Sequence, residues 1–544
     1  MSSQVIGRRG AGLGLGLVLV LLAACSKQEP GRGPGAGDAP RRGGTVVVAV
    51  GAEPKTLMPY APMATGAPGS SILGTIFNFI ANTDSDLVGF SPGLARSWEW
   101  SADGRALTFH LRDDVFWSDG VPLTAEDVRF SFEVARDSVV GWPTRAWKKD
   151  ILACEVLDPH TVRYRFAAVP REAFRFAKEG FVVPQHLLAG VPRAHWSEAE
   201  YGRAPVGCGP FRLASWEPQQ RLVLVRNEHY FEKDRPYLDR IVFQIVPDAS
   251  QRVRLLRAGE VDFVDELPSR EARELRAEAG PVRIVHCQGR DYDFIAYNLR
   301  DPLFTSPRVR EALTRAIDRE AIIRSLCSGF ARPLAGPVVP LSWACDPHLE
   351  PLPFDPPGAR RLLAAEGWQD ADGDGWLERD GQRFEFTLAT TADNELRRDV
   401  SVPVQSQWKA IGIQAEVRLA ERAALRDQRE KGDFQALLGG WSTNLALDLR
   451  PVWGCGAGRY NFVGYCSPRL DSLNAAALQL PYAQAKPLLH AAQRQVAQDQ
   501  PYTFLYALDL IVGKSERLQG VIVDRRGSFN NPEEWWVLDG APGR

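Results

Sequence analysis

Few residues in this chain of 544 are spaced for covalent chemistry. A serine nucleophile on a strand-to-helix elbow needs Gly-x-Ser-x-Gly, and a zinc hydrolase needs His-Glu-x-x-His; neither pattern occurs. Gly513-Lys514-Ser515 matches the end of a phosphate loop, but Leu508 stands where its first glycine is required. The eight histidines are scattered without ligand spacing. Asp370, Asp372, Asp374 and Gly375 match the opening of a calcium loop, yet the twelfth position, which needs a bidentate Glu, is Gly381, and Glu378 is at the ninth. That run is expected to be a polar hairpin tip, with a weak structural calcium as the alternative. No catalytic residue, metal or cofactor is therefore expected. Eight cysteines remain. The close pairs Cys327/Cys345 and Cys455/Cys466 each flank loop-like sequence and are expected disulfides, whereas Cys154, Cys208 and Cys287 have no evident partners.

The elements that must carry whatever the chain does are clearest from Ser91 to Glu133. A polar turn, Ser101 to Gly104, leads into a strand in which Leu107, Phe109 and Leu111 alternate with Thr108, His110 and Arg112, the period of a half-buried extended segment. A second turn, Ser118-Asp119-Gly120, precedes a helix that Thr124 caps, with Asp127 in the capping-box place and Glu126 at the positive end of the dipole. Val128, Phe132 and Ala135 fall on one face.

This run resembles the signature region of the family-5 extracellular solute-binding proteins, the receptors of oligopeptide, dipeptide and nickel ABC importers. Leu94, Trp98, Phe109, Leu111, Arg112, Trp117, Ser118, Asp119, Gly120, Thr124, Ala125, Asp127 and Ser131 all match it. Further matches follow at Pro205 to Phe211, Asn227 to Phe231 and Ala258 to Asp262. A later block, with Tyr297, Asn298, Phe304, Val309, Arg310, Ala312, Leu313, Ala316, Ile317, Asp318 and Arg319 matching, reads as an extended segment and then one long amphipathic helix, Val309 to Leu326.

The resemblance implies an α/β fold of two lobes like the periplasmic binding proteins, with an extra subdomain in the first lobe and a hinge of two crossing strands, Tyr292 to Leu299 and Tyr502 to Val512. Residues 1–24 are expected to be a signal peptide, since Arg8 and Arg9 precede a short apolar run and Leu22-Ala23-Ala24-Cys25 resembles a bacterial lipobox, which places lipid on Cys25. Residues 25–42, rich in Gly, Pro and charge, are a lipid-anchored flexible tether. Lobe I is assigned to 43–85, 205–288 and 508–544, its inserted subdomain to 86–204, and lobe II to 289–507. Apolar content of 44% and charged content of 24% supply ample core, and a net charge of -2 argues against a nucleic-acid partner.

Within the resemblance, the stretch Phe434 to Asn444 corresponds to a pocket segment of peptide-binding members. Trp441 matches the pocket wall, and Ser442 and Thr443 follow it, but Asn444 replaces an Asp that pairs with a peptide's ammonium group. A neutral Asn supplies no compensating charge, so either Glu53 or Asp448 provides the carboxylate or the ligand has no free amine. Tyr297 and Asn298, and Trp142, Arg145 and Trp147 from a small-lobe loop, complete the candidate ligand-binding set; a core or surface role is the alternative for each Trp. The expected protein is a monomeric, lipid-anchored receptor at the periplasm or cell surface. It captures short peptides and hands them to a permease and ATPase complex, with no enzymatic activity. An import receptor for a metal chelate, opine or sugar-like solute is the alternative that Asn444 favours, and a hydrolase is disfavoured by the missing nucleophile motif.

Overall fold

The computed structural model describes residues 39–64, 68–443 and 447–538. The expected signal peptide, Cys25 and most of the tether lie outside them. No helix among the described residues is long and apolar enough to cross a membrane.

In chain order, β1 (Thr45–Val50) is followed by β2 (Ala95–Trp100), β3 (Ala106–Leu111), helix α1 (Ala125–Arg136), β4 (Ile151–Asp158) and β5 (Thr161–Phe166). Then come β6 (Phe211–Glu217), β7 (Arg221–Arg226), β8 (Arg240–Ile245), β9 (Phe263–Val264) and the long β10 (Val282–Tyr297). Helices α2 (Pro307–Arg315) and α3 (Arg319–Ser325) lead to β11 (Ala331–Pro333), β12 (Glu385–Thr391), α4 (Glu395–Lys409), β13 (Gln414–Ala420), α5 (Arg422–Lys431) and β14 (Ala436–Ser442). Helix α6 (Tyr482–Asp499) and the long β15 (Tyr502–Ser515) follow.

One eleven-stranded sheet runs β13-β12-β14-β10-β15-β9-β1-β8-β7-β6, with β11 pairing β15 off this path. A separate four-stranded sheet, β2-β3-β5-β4, comes from the expected subdomain. Its inward residues Leu107 and Phe109 share a continuous core with Val46, Ile241 and Phe243 of the large sheet. At the other half, β10 is buried on both faces: Tyr292, Phe294 and Ala296 meet one core, Ile295 and Tyr297 another. A strand buried twice reads as a continuous apolar run and not as an alternating one.

β10 and β15 pair antiparallel along nearly their whole length and carry the sheet from one half to the other. The register breaks twice: between Gln288, facing Asp509, and Tyr292, facing Ala507, three residues oppose one, and between Asp293, facing Tyr506, and Phe294, facing Phe504, the partner strand carries one extra residue. Gly289 sits in the first bulge, and a Cβ there would lie 2.5 Å from the Leu508 carbonyl oxygen. Only glycine lets the strands approach so closely.

The capping box of α1 is present, with the Thr124 N–H donating to Asp127 Oδ2 at 2.9 Å. The expected single helix Val309 to Leu326 is two. The chain turns at Ile317, and Asp318 caps the second helix by accepting from the Ala321 N–H at 2.8 Å. The apolar period runs on through the break because both helices bury toward the same core.

Of the two expected disulfides, Cys455–Cys466 is formed. Cys327 and Cys345 are free thiols, which corrects the other. Cys327 is buried in the core that holds Ile295, whereas Cys345 packs against the core that holds Phe294, on the other face of the sheet. Strand β11 lies between them in the chain, so nearness in sequence does not become nearness in space.

The segment Arg171 to Arg175 docks on residues 477–482. Glu172 accepts from Arg171 Nε at 3.2 Å, Arg175 Nε at 3.0 Å and the Tyr482 hydroxyl at 3.0 Å. Arg171 also donates to the Ala477 carbonyl at 2.7 Å and lies over the Trp343 ring.

Candidate functional site

Trp441 is the penultimate residue of β14, opposite Tyr292 of β10, and Ser442, which ends the strand, is opposite Asp291. The Thr443 N–H donates to the Arg290 carbonyl at 2.9 Å, so the chain stays tied to the bulge region as it leaves the sheet. The half-buried Trp441 ring stacks on Phe294 at 6.0 Å and 27°, and Phe294 stacks on Tyr502 at 4.1 Å and 15°. Tyr460 meets Trp441 edge-on at 6.0 Å, and Trp441 Nε1 donates to the Tyr502 hydroxyl at 3.4 Å. Three stacked rings with the outer one pinned by its N–H make a rigid aromatic wall suited to ring or apolar contacts. Ser442 is exposed, and the buried Thr443 hydroxyl has no hydrogen-bond partner among the described residues. Asn444 lies outside the described residues.

Both carboxylates expected to stand in for the missing Asp are already engaged. Asp448 accepts from Arg450 Nε at 3.0 Å and Nη2 at 2.6 Å and from Asn474 Nδ2 at 2.8 Å. Burial works to raise its pKa, but the hydrogen bonds and charge of Arg450 outweigh it and hold the carboxyl below its ordinary value. Glu53 accepts from Trp216 Nε1 at 2.7 Å and the Gln219 N–H at 3.2 Å, with Arg203 at 3.9 Å.

Tyr297 is fully buried in the core, with its hydroxyl 2.7 Å from Thr503 Oγ1. Asn298 donates to the Gly432 and Phe434 carbonyls at 3.1 and 2.9 Å and so fixes the turn that feeds β14. These two residues support the wall and do not face open space. Trp142 packs edge-on against Tyr60 at 5.1 Å and Trp147 against Phe176 at 5.5 Å; Arg145 is exposed. Tyr60 belongs to the first core, and neither Tyr60 nor Phe176 belongs to the Trp441 cluster.

A group that the sequence reading missed surrounds the wall. Arg429, on α5, places its guanidinium 5.4 Å from the Trp441 ring centre and 5.2 Å from that of Phe462. It lines a cavity of about 370 Å³ with Arg300, Lys431, Arg459 and the loop Gly456 to Gly458. The one signal in the sequence was α5 itself, a charged helix with no buried residue. A larger cavity of about 750 Å³ opens elsewhere, beside edge strand β6, between Ser118, Arg203, Trp216 and His229. The exposed Asp370, Asp372 and Asp374 bring oxygens within 4.8 Å of one another. Each accepts a backbone N–H of its own turn, from Gly375, Asp374 and Trp376 respectively, as a hairpin tip does.

Comparison with known proteins places this geometry. A family model described as bacterial extracellular solute-binding proteins, family 5 middle, matches residues 89–458. The chain is 30% identical over 507 residues to the oligopeptide-binding protein AppA of Bacillus subtilis (strain 168), covering 92% of each. It is 27% identical over 503 residues to the glutathione-binding protein GsiB of Salmonella typhimurium, covering 90% of this chain and 94% of that one. The solved structure of Bacillus subtilis AppA in complex with a nonapeptide superposes with a TM-score of 0.76 at 29% identity, covering 92% of this chain and 100% of that one.

Proposed function

This chain belongs to the family-5 bacterial extracellular solute-binding proteins, a family of non-enzymatic receptors, and from that membership we propose that it captures short peptides in a cleft between two lobes. It is a solute-binding protein of an ABC importer, and the peptide is the finer reading. The observation that carries this reading is the β10–β15 ribbon with its central bulge. Two long strands join the sheet's halves, and Trp441, near the end of the strand next to β10, is held beside that junction. A pair of strands of this kind lets two bodies close on a ligand. Extended ligand backbone bonded like an added strand, with side chains in separate pockets, suits such a cleft. The peptide named for the AppA complex supports the same choice.

The protein works tethered by lipid on Cys25 and delivers its solute to a permease and ATPase complex as a monomer. Asn444 favours a second reading, a receptor for a non-peptide solute such as an opine or a metal chelate. Native mass spectrometry of the protein as isolated separates the two. A ladder of short-peptide masses supports the first, and one recurrent non-peptide mass replaces it with the second.

A further inference from the structure

We propose that the cavity beside Trp441 is a subsite for a carboxylate carried by the bound solute, so that the solutes this receptor prefers are acidic. The inference deepens the solute-binding reading above and rests on it.

The cavity's lining holds four cations, Arg300, Arg429, Lys431 and Arg459, against one carboxylate, Glu430. Around it, Lys431 is paired with Asp427 at 2.8 Å, and Asp499 is taken by the Tyr465 hydroxyl at 2.6 Å. The three arginines have no carboxylate within ion-pair distance among the described residues. Arg300 donates from Nε to Asn298 Oδ1 at 3.0 Å and from Nη2 to the Phe462 carbonyl at 2.6 Å, both neutral. Arg459 donates to the Tyr460 hydroxyl at 3.0 Å. Arg429 lies against the faces of Trp441 and Phe462, and among the described residues its buried Nε has no acceptor.

The chain has 67 acidic residues for 65 basic ones, so carboxylates to pair these arginines are not scarce, and elsewhere arginines such as Arg226, Arg257 and Arg450 have one. A guanidinium whose N–H lies buried and unbonded carries a desolvation cost that a bound anion removes. Arginine's planar fork suits a carboxylate, and Trp441 and Phe462, whose ring centres are 6.1 Å apart, hold the Arg429 guanidinium from one side. About 370 Å³ is room for a side chain or a chain terminus rather than for a whole peptide.

Isothermal titration of the full mature chain with three matched pairs tests it: Ala-Glu-Ala against Ala-Gln-Ala, Ala-Ala-Ala against its C-terminal amide, and glutarate against glutaramide. The anionic member of at least one pair is expected to bind about tenfold to hundredfold tighter, and Arg429→Gln to abolish that preference while the neutral member is little changed. The first two pairs tell a side-chain carboxylate from a terminal one. Arg459→Gln, at an exposed position, serves if Arg429→Gln lowers the melting temperature. A preference for glutarate that depends on Arg429, with no peptide bound, leaves the subsite standing and ends the peptide reading. Peptides bound with no anionic preference, or with one that neither variant alters, overturn the subsite and leave the peptide reading intact.

Discussion

Replacing Glu172 with alanine is expected to loosen the contact between residues 171–175 and 477–482. Its side chain is 1% exposed, and those of Arg171 and Arg175 are 1% and 3% exposed, so no solvent replaces the lost carboxylate. Removing one partner of a buried ion pair costs about 3–5 kcal/mol, because the remaining charge is stranded. Some of that is offset here, since Arg171 keeps its bond to the Ala477 carbonyl and its seat on the Trp343 ring. Unfolding entropy of about 2.1 cal/mol/K per residue gives roughly 1 kcal/mol/K for a fold of this size, so after that offset the melting temperature should fall by about 2–4 °C. Differential scanning calorimetry reads this directly. The double variant Glu172→Met with Arg175→Met removes charge from both sides and should lose less than Glu172→Ala alone. A fall below about 1 °C for the single change, or a double variant that is simply additive, would refute the idea that this network holds the two segments together.

Burial, reinforced by the charges of Glu534 and Glu232, pushes Glu533 up to about 7 from an ordinary value of 4.5. A carboxyl whose pKa is raised on folding binds its proton more tightly in the native state, so stability should fall as pH rises from 4.5 to about 7, by on the order of 2–3 kcal/mol. Urea titrations across that window should show the slope flattened in Glu533→Gln. The turn Asp370 to Gly375 is already satisfied by its own N–H groups, so neither chelator nor added calcium should shift the melting temperature by more than about 1 °C. In denaturant without reductant, Cys327 and Cys345 should alkylate fully while Cys455 and Cys466 do not; peptide mapping that finds Cys327 protected would contradict the pairing described here.

Local chemistry was the legible part of the sequence. The capping box at Thr124 and Asp127, the alternation from Leu107 to Leu111 and the two strands crossing the middle of the sheet each depend on a few neighbouring residues. What escaped depends on residues brought together from far apart. The helix break at Asp318 was hidden because Ile317 and Ile323 keep the same apolar face on both sides of it. The carboxylate of Asp448 was visible, but not that Arg450, two residues on, closes over it. The basic cavity draws on residues 300, 429 to 431 and 459, and no window of sequence holds all of them. Trp441 was found through its segment; the stack that fixes it, Phe294 and Tyr502, comes from strands about 150 and 60 residues away.

The ribbon also sets the order in which the chain can assemble. Val282 pairs with Ser515 and Ala296 with Tyr502, so closing it joins residues more than two hundred apart. Loop closure over such a span is costly until the intervening chain has collapsed on its own, which makes the pairing a late and slow event. The core around β1 waits as well, because Val512, Leu518 and Trp535 from the far end of the chain fill it. Until those last thirty or so residues are in place, the core around β1 lacks part of its interior, and the amino-terminal half cannot reach its final packing.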